Sequence, residues 1–325
     1  MRHIFSVCLF SIVFFSVSTS LSGQSRYFDE RYVYSQHNLY PSLINAGAIG
    51  ANDFQELMVN YRNTWAGFDD APKTISVAYN GPVGNRLGFG AQLLKDSYGA
   101  LNTTKGQIGL SYTIDSPTNK VGFGISTEYI QHNLTGSGLT SPIVDRGDPL
   151  LVERLDGVQF FDASFGIYGL YNDKLTYGIS FPSLISSRIS DNGQDIDRTI
   201  GYIFQVGYKL VSATTGISLE PSMVIKSLSN TPNHVDLNAK FGFLEDKLIG
   251  GITYTLGGDK RYGFLIGTVV ESLNINYSYN VSSADFQSYN NGAHEISVGF
   301  RFGNNRKTST TLKDKQELIN KTSGM

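Results

Sequence analysis

Apolar and polar side chains alternate along most of this chain in segments of about ten residues, and few other foldable patterns are compatible with that. Between His294 and Phe302, Ile296, Val298, Phe300 and Phe302 share one face while Glu295, Ser297, Gly299 and Arg301 share the other. Leu273, Ile275, Tyr277, Tyr279 and Val281 interleave in the same way with Asn274, Asn276, Ser278 and Asn280. Val235, Leu237, Ala239, Phe241 and Phe243 interleave with Asp236, Asn238, Lys240 and Gly242. A period of two is that of a strand with two unlike faces. About ten residues is what a tilted strand needs to cross a bilayer, whereas strands of globular domains usually run about five or six.

About fourteen such segments are present, near 55–63, 73–80, 86–96, 104–115, 120–132, 157–171, 174–182, 199–210, 214–227, 233–244, 247–257, 260–270, 272–282 and 293–302. The connections after even-numbered segments are short, such as Asn172-Asp173 and Glu245-Asp246. Several after odd-numbered ones are long, notably 133–156 and 182–197. Lipid offers no partner to a backbone amide, so a membrane sheet has to close on itself. Short turns at one end and long loops at the other belong to outer-membrane barrels, with the turns in the periplasm. The expected fold is all-β, a transmembrane antiparallel barrel of about 14 strands. An even count returns both termini to the periplasm. Tyr202, Tyr208, Tyr254 and Tyr262 stand at strand ends, as an interfacial girdle requires. Pro221 is a misfit inside its strand, because proline removes a ladder donor.

Composition agrees. Only 17% of residues are charged, against roughly 25% in an ordinary soluble domain, while 35 Gly, 19 Tyr and 20 Phe are in excess. A formal net charge of -2 offers no basic footprint for nucleic acid. Arg2 and His3 followed by the apolar run Ile4 to Val17 and small residues to Gly23 read as a secretory signal, residues 1–23. The single cysteine, Cys8, leaves with it, so no disulfide framework is expected. Beyond the signal no apolar run reaches the length of a membrane helix. The remaining divisions are a periplasmic amino-terminal segment, 24–53, able to enter the lumen as a plug; the barrel, 54–302; and a polar periplasmic tail, 303–325.

Two stretches carry more than periodicity. One is Tyr61-Arg62-Asn63-Thr64-Trp65-Ala66-Gly67-Phe68-Asp69-Asp70-Ala71-Pro72-Lys73-Thr74, with the only Trp; the other is Tyr177-Gly178-Ile179-Ser180-Phe181-Pro182-Ser183-Leu184. With Tyr40-Pro41-Ser42-Leu43-Ile44-Asn45 and Gly299-Phe300-Arg301-Phe302, they resemble the PorP/SprF family of the type IX secretion system, from about Gln36 to Phe302. Ala46 to Gly50 departs from the family, which commonly continues there with Pro-Ala and an aromatic, and Asp69-Asp70 stands where Gly is frequent. The resemblance implies a 14-stranded outer-membrane barrel serving protein export rather than solute uptake. Its implied partners are large secreted proteins with a type B C-terminal sorting domain, such as gliding-motility adhesins, and the periplasmic ring components PorK and PorN.

No chemistry-bearing motif competes with this reading. G-x-S-x-G, H-E-x-x-H and the phosphate loop are absent, and His37, His132, His234 and His294 are scattered. No catalytic residue, metal or cofactor is expected. The acidic stretch Asp191 to Asp197 could gather oxygens for Ca²⁺ but lacks the terminal bidentate Glu of a calcium loop, and a solvated loop is favoured. Arg146-Gly147-Asp148 reads as chance. The candidate site is the loop carrying Tyr61, Arg62, Asn63, Trp65, Gly67, Phe68, Ala71 and Pro72. It is either a partner-binding surface, since Trp and Arg dominate interface energetics, or an inward fold closing the barrel mouth with Arg62 on an acidic lumen residue. The second is slightly favoured. Long loops on a rigid scaffold, 133–156 and 182–197, are the expected cargo contacts. The alternative function is a FadL-like transporter of hydrophobic solutes.

Overall fold

The computed structural model describes residues 34–304 except 69, 135–156, 186, 189–199, 213–214, 229–230 and 259. The signal, the start of the amino-terminal segment, most of the 133–156 and 182–197 loops, Arg146-Gly147-Asp148, Asp191 to Asp197 and the tail beyond 304 therefore lie outside the described residues.

Fourteen strands form one closed antiparallel sheet, each paired with its neighbour in sequence. They are β1 Phe54–Asn63, β2 Lys73–Val83, β3 Leu87–Tyr98, β4 Leu101–Asp115, β5 Asn119–Leu134, β6 Val158–Tyr171 and β7 Leu175–Phe181. The other half is β8 Tyr202–Tyr208, β9 Ser218–Ser227, β10 His234–Phe243, β11 Leu248–Leu256, β12 Arg261–Val270, β13 Leu273–Ser282 and β14 Ala293–Asn304. Closure is made by β14 against β1, with Asn63 opposite His294 and Leu57 opposite Phe300. Two short ladders are appended, Ser187–Arg188 on β6 and Leu210–Val211 on β9.

Alternation sets the faces as the sequence demands. On β1, Leu57, Val59 and Tyr61 are exposed outward while Glu56, Met58, Asn60 and Arg62 are buried inward. On β14, Ile296, Val298, Phe300 and Phe302 face out, whereas Glu295 and Ser297 are almost wholly buried. An apolar exterior around a polar interior inverts a soluble protein and suits a bilayer. At one end the strands are joined by tight turns. Asn172 and Asp173 both take positive φ, 50° and 55°, which gives the twist of a type I′ hairpin. Leu244, Glu245, Asp246 and Glu271 are left-handed at the same end. The other end carries 64–72, 283–292 and the longest connections, with one exception, the tight β3–β4 hairpin at Gly99 and Ala100. Pro221 is accommodated because the β8–β9 ladder is interrupted there: pairing resumes at Ser222–Gly207 on one side and Leu219–Leu210 on the other.

Residues 34–53 run through the lumen as a thread. Tyr34 to His37 lie in the long-loop half, against β1, β10, β13 and β14, and Gly50 to Asp53 reach the short-turn end, where Lys120 Nζ contacts the Asp53 carboxylate at 3.1 Å. The thread makes two short 3-10 turns, Pro41–Leu43 and Ala46–Ala48, the second opened by Asn45, whose Oδ1 accepts from the Gly47 amide at 2.9 Å. Tyr34, Tyr40, Leu43 and Ile44 form a small apolar core with the inward residues Met58, Ala78, Leu94, Ile203 and Val224. Its lower half lies directly on strand backbone. A Cβ at Gly124 would collide with the Ala46 carbonyl, at Gly122 with the Gly47 carbonyl and at Gly166 with the Asn45 side chain. These wall glycines are the seat that lets Ala46-Gly47-Ala48 pass.

Gly124→Val is therefore expected to unseat the thread and destabilise the fold by at least about 2 kcal/mol. Gly106→Ala, whose added Cβ would meet only the Leu93 side chain at 3.7 Å, is expected to be neutral. Thermal loss of heat-modifiable gel mobility distinguishes the two; equal midpoints would refute the seat.

Candidate functional site

The Tyr61 to Pro72 stretch leaves β1, turns over the barrel mouth and enters β2. Its residues separate by face. Tyr61 points outward and is 42% exposed, whereas Arg62 points inward and is 3% exposed. The Arg62 Nη1 donates to Glu295 Oε2 at 2.8 Å and to Ser35 Oγ at 3.1 Å, and its Nε donates to Thr64 Oγ1 at 3.1 Å. Glu295 stands directly opposite on β14. Its carboxylate also accepts from Asn60 Nδ2 at 3.0 Å and from the amide and hydroxyl of Ser35. A buried charge is tolerated only when paired and fully hydrogen-bonded, and this carboxylate meets both conditions. Near the other end of the same strand pair, Arg301 Nε donates to Glu56 Oε1 at 3.0 Å, with its guanidinium 4.7 Å from the Phe54 ring centroid.

Beyond Asn63 the seam does not stop. The Ala66 amide donates to the Gly292 carbonyl at 2.9 Å, and the Asn291 amide donates to the Ala66 carbonyl at 2.7 Å, so the loop is zipped to the last loop. Two left-handed residues turn the chain to reach it, Trp65 at φ 56° and Gly67 at φ 105°. At Gly67 a side chain would be strained in φ and would also press on Asn291 Nδ2. The Trp65 ring stands edge-on to Tyr98 of the β3–β4 hairpin, centroids 5.6 Å apart. The Thr64 amide donates to the Pro72 carbonyl at 2.9 Å and closes the loop at its base, with Ala71 buried beneath. Asn63 is partly buried at the strand end, and Phe68 remains 43% exposed on top. Tyr289, in the 3-10 turn Asp285–Tyr289 of the partner loop, is 76% exposed.

A second constellation was not legible in the sequence. His37 of the thread donates from Nδ1 to the Tyr34 carbonyl at 2.8 Å, which leaves Nε2 bare, 3.8 Å from Asp236 Oδ2. Asp236 is held by Lys226 Nζ at 2.9 Å and by the Thr255 hydroxyl at 2.6 Å. Only the inward parity of these strand charges hinted at them; the partner from the thread could not be read from spacing. No group of three or more His, Cys, Asp or Glu among the described residues could hold a metal ion.

A family model described as "Type IX secretion system membrane protein PorP/SprF" matches residues 28–300. No curated protein matches the chain. Similar solved structures include the Acinetobacter baumannii outer membrane protein Omp33, 9% identical at a TM-score of 0.47, covering 77% of this chain and 98% of its own. The Ralstonia pickettii toluene transporter TbuX is 10% identical at 0.48, covering 80% and 93%. The CymD monoaromatic hydrocarbon channel is 12% identical at 0.49, covering 87% and 96%. At such scores nothing about ligands passes from them to this chain.

Proposed function

The chain belongs to the PorP/SprF family of type IX secretion system membrane proteins, and on that premise we propose that it is a non-catalytic outer-membrane anchor that supports export or surface retention of a large secreted protein carrying a type B C-terminal sorting domain. The observation that carries this reading is the filled lumen. Thread residues such as Gln36, His37, Asn45 and Ala48 are almost wholly buried inside the barrel, an arrangement suited to a scaffold rather than a conduit, and this disfavours the FadL-like alternative.

Short turns face the periplasm in this proposal, as in other outer-membrane barrels. The end of β14, and with it the tail, is then periplasmic, on the side where PorK and PorN would be met. The amino-terminal segment enters the lumen as a plug in this reading, with Tyr34 to His37 in the outer half. Outside lie the 64–72 and 283–292 loops, joined through Ala66 to a two-loop platform that exposes Phe68 and Tyr289. The sorting domain docks on this platform and on the 133–156 and 182–197 loops. Arg62, Asn63, Trp65, Gly67, Ala71 and Pro72 hold the platform rigid, while Phe68 touches the cargo. A preformed aromatic surface loses little entropy on binding.

Pulldown of the tagged protein from native membranes in mild detergent is expected to recover a large secreted protein. Phe68→Asp with Tyr289→Asp should reduce its recovery about ten-fold while heat-modifiability stays intact. Trp65→Ala should reduce both. Recovery of lipid-like solute without any secreted protein would favour the transporter instead.

A further inference from the structure

At the short-turn rim, β8 is prolonged past Lys209 by Leu210 and Val211, which pair with Leu219 and Ser218 of β9. β7 does not follow: it begins at Leu175, opposite Tyr208, and the last bond between them runs from the Lys209 amide to the Lys174 carbonyl at 2.8 Å. This mismatch in strand length leaves an open groove of about 340 Å³ lined by Lys174, Tyr208, Lys209, Leu210, Val211 and Leu219, among others. Its apolar lining is continuous with the outward face of β8, where Tyr202, Phe204 and Tyr208 are exposed; Leu210 and Val211 extend it at 49% and 58% exposure.

Two amines border the apolar floor. Lys209 is held by Asp246, Nζ to Oδ2 at 2.5 Å, and Asp246 is steadied by the Ser218 hydroxyl. Burial pushes the Asp246 carboxyl up, but the hydrogen bonds from Lys209 and Ser218 outweigh it and the pKa is lowered, so the carboxylate stays ionised. Lys174 is exposed on the turn after Asp173 and forms no ion pair among the described residues. An apolar slot at the short-turn rim of a membrane barrel, with an exposed lysine at its edge, suits an acyl chain joined to an anionic headgroup. We propose that this groove binds an anionic glycerophospholipid, with the acyl chains along Tyr208, Leu210 and Leu219 and the headgroup phosphate on Lys174. A free phosphate would make no use of the floor, and a zwitterionic lipid carries a second charge that the lysine repels. The short-turn end thereby contacts the phospholipid leaflet, independently of whatever docks at the opposite mouth.

Native mass spectrometry of the purified full chain with equal amounts of phosphatidylglycerol and phosphatidylcholine tests this. Phosphatidylglycerol should be retained preferentially, and Lys174→Ala should lower its retention about five-fold without changing heat-modifiability or phosphatidylcholine retention. Millimolar inorganic phosphate should not displace it. Equal retention of the two lipids, an unchanged Lys174→Ala, or displacement by phosphate would each overturn the assignment and would leave the secretion reading untouched.

Discussion

A strand surrounded by lipid must have both edges paired, so everything in this protein depends on β1 meeting β14 in register. Two inward ion pairs of opposite sense fix that register. Arg62 of β1 lies opposite Glu295 of β14, and Glu56 of β1 lies opposite Arg301 of β14. A slip by two residues keeps the faces but breaks both pairs, and a slip by one turns charges into lipid. The apolar pattern excludes the second error, and the charges exclude the first.

The seam is reinforced on either side of its own ladder. Inside, Ser35, Gln36 and Tyr40 of the thread bond to Glu295, Ser278, Ser297 and Asn276, residues of β13 and β14. Outside, the Ala66 bridge carries strand-like pairing into the loops. The Tyr61 to Pro72 motif thus serves closure and surface together: Arg62 and Thr64 work inward, Trp65 and Gly67 aim the loop, and Phe68 stays partly exposed on top. A loop fastened to the closure seam shares the rigidity of the barrel.

Strand number, strand faces and turn positions were legible from the sequence because a membrane barrel writes them locally, as a period of two broken by turn residues. The identity of Arg62 as an inward residue followed from the same parity. Its partner did not, since Glu295 is 233 positions away and several inward carboxylates on other strands could have served. The thread was legible only as a polar segment able to enter the lumen. Its path depends on wall glycines contributed by separate strands, among them Gly122, Gly124 and Gly166, and no single stretch of sequence brings them together. Ala46 to Gly50 is the part that needs those glycines most, because its small residues bring backbone onto backbone.

The dependence of the fold on the Arg62–Glu295 pair is measured most directly by a double-mutant cycle on thermal unfolding, followed through heat-modifiable mobility. Arg62→Met and Glu295→Met should each cost about 3–5 kcal/mol, because each strands a buried charge. The double variant should recover most of that loss. Additive losses in the double variant would contradict a seam locked by this pair.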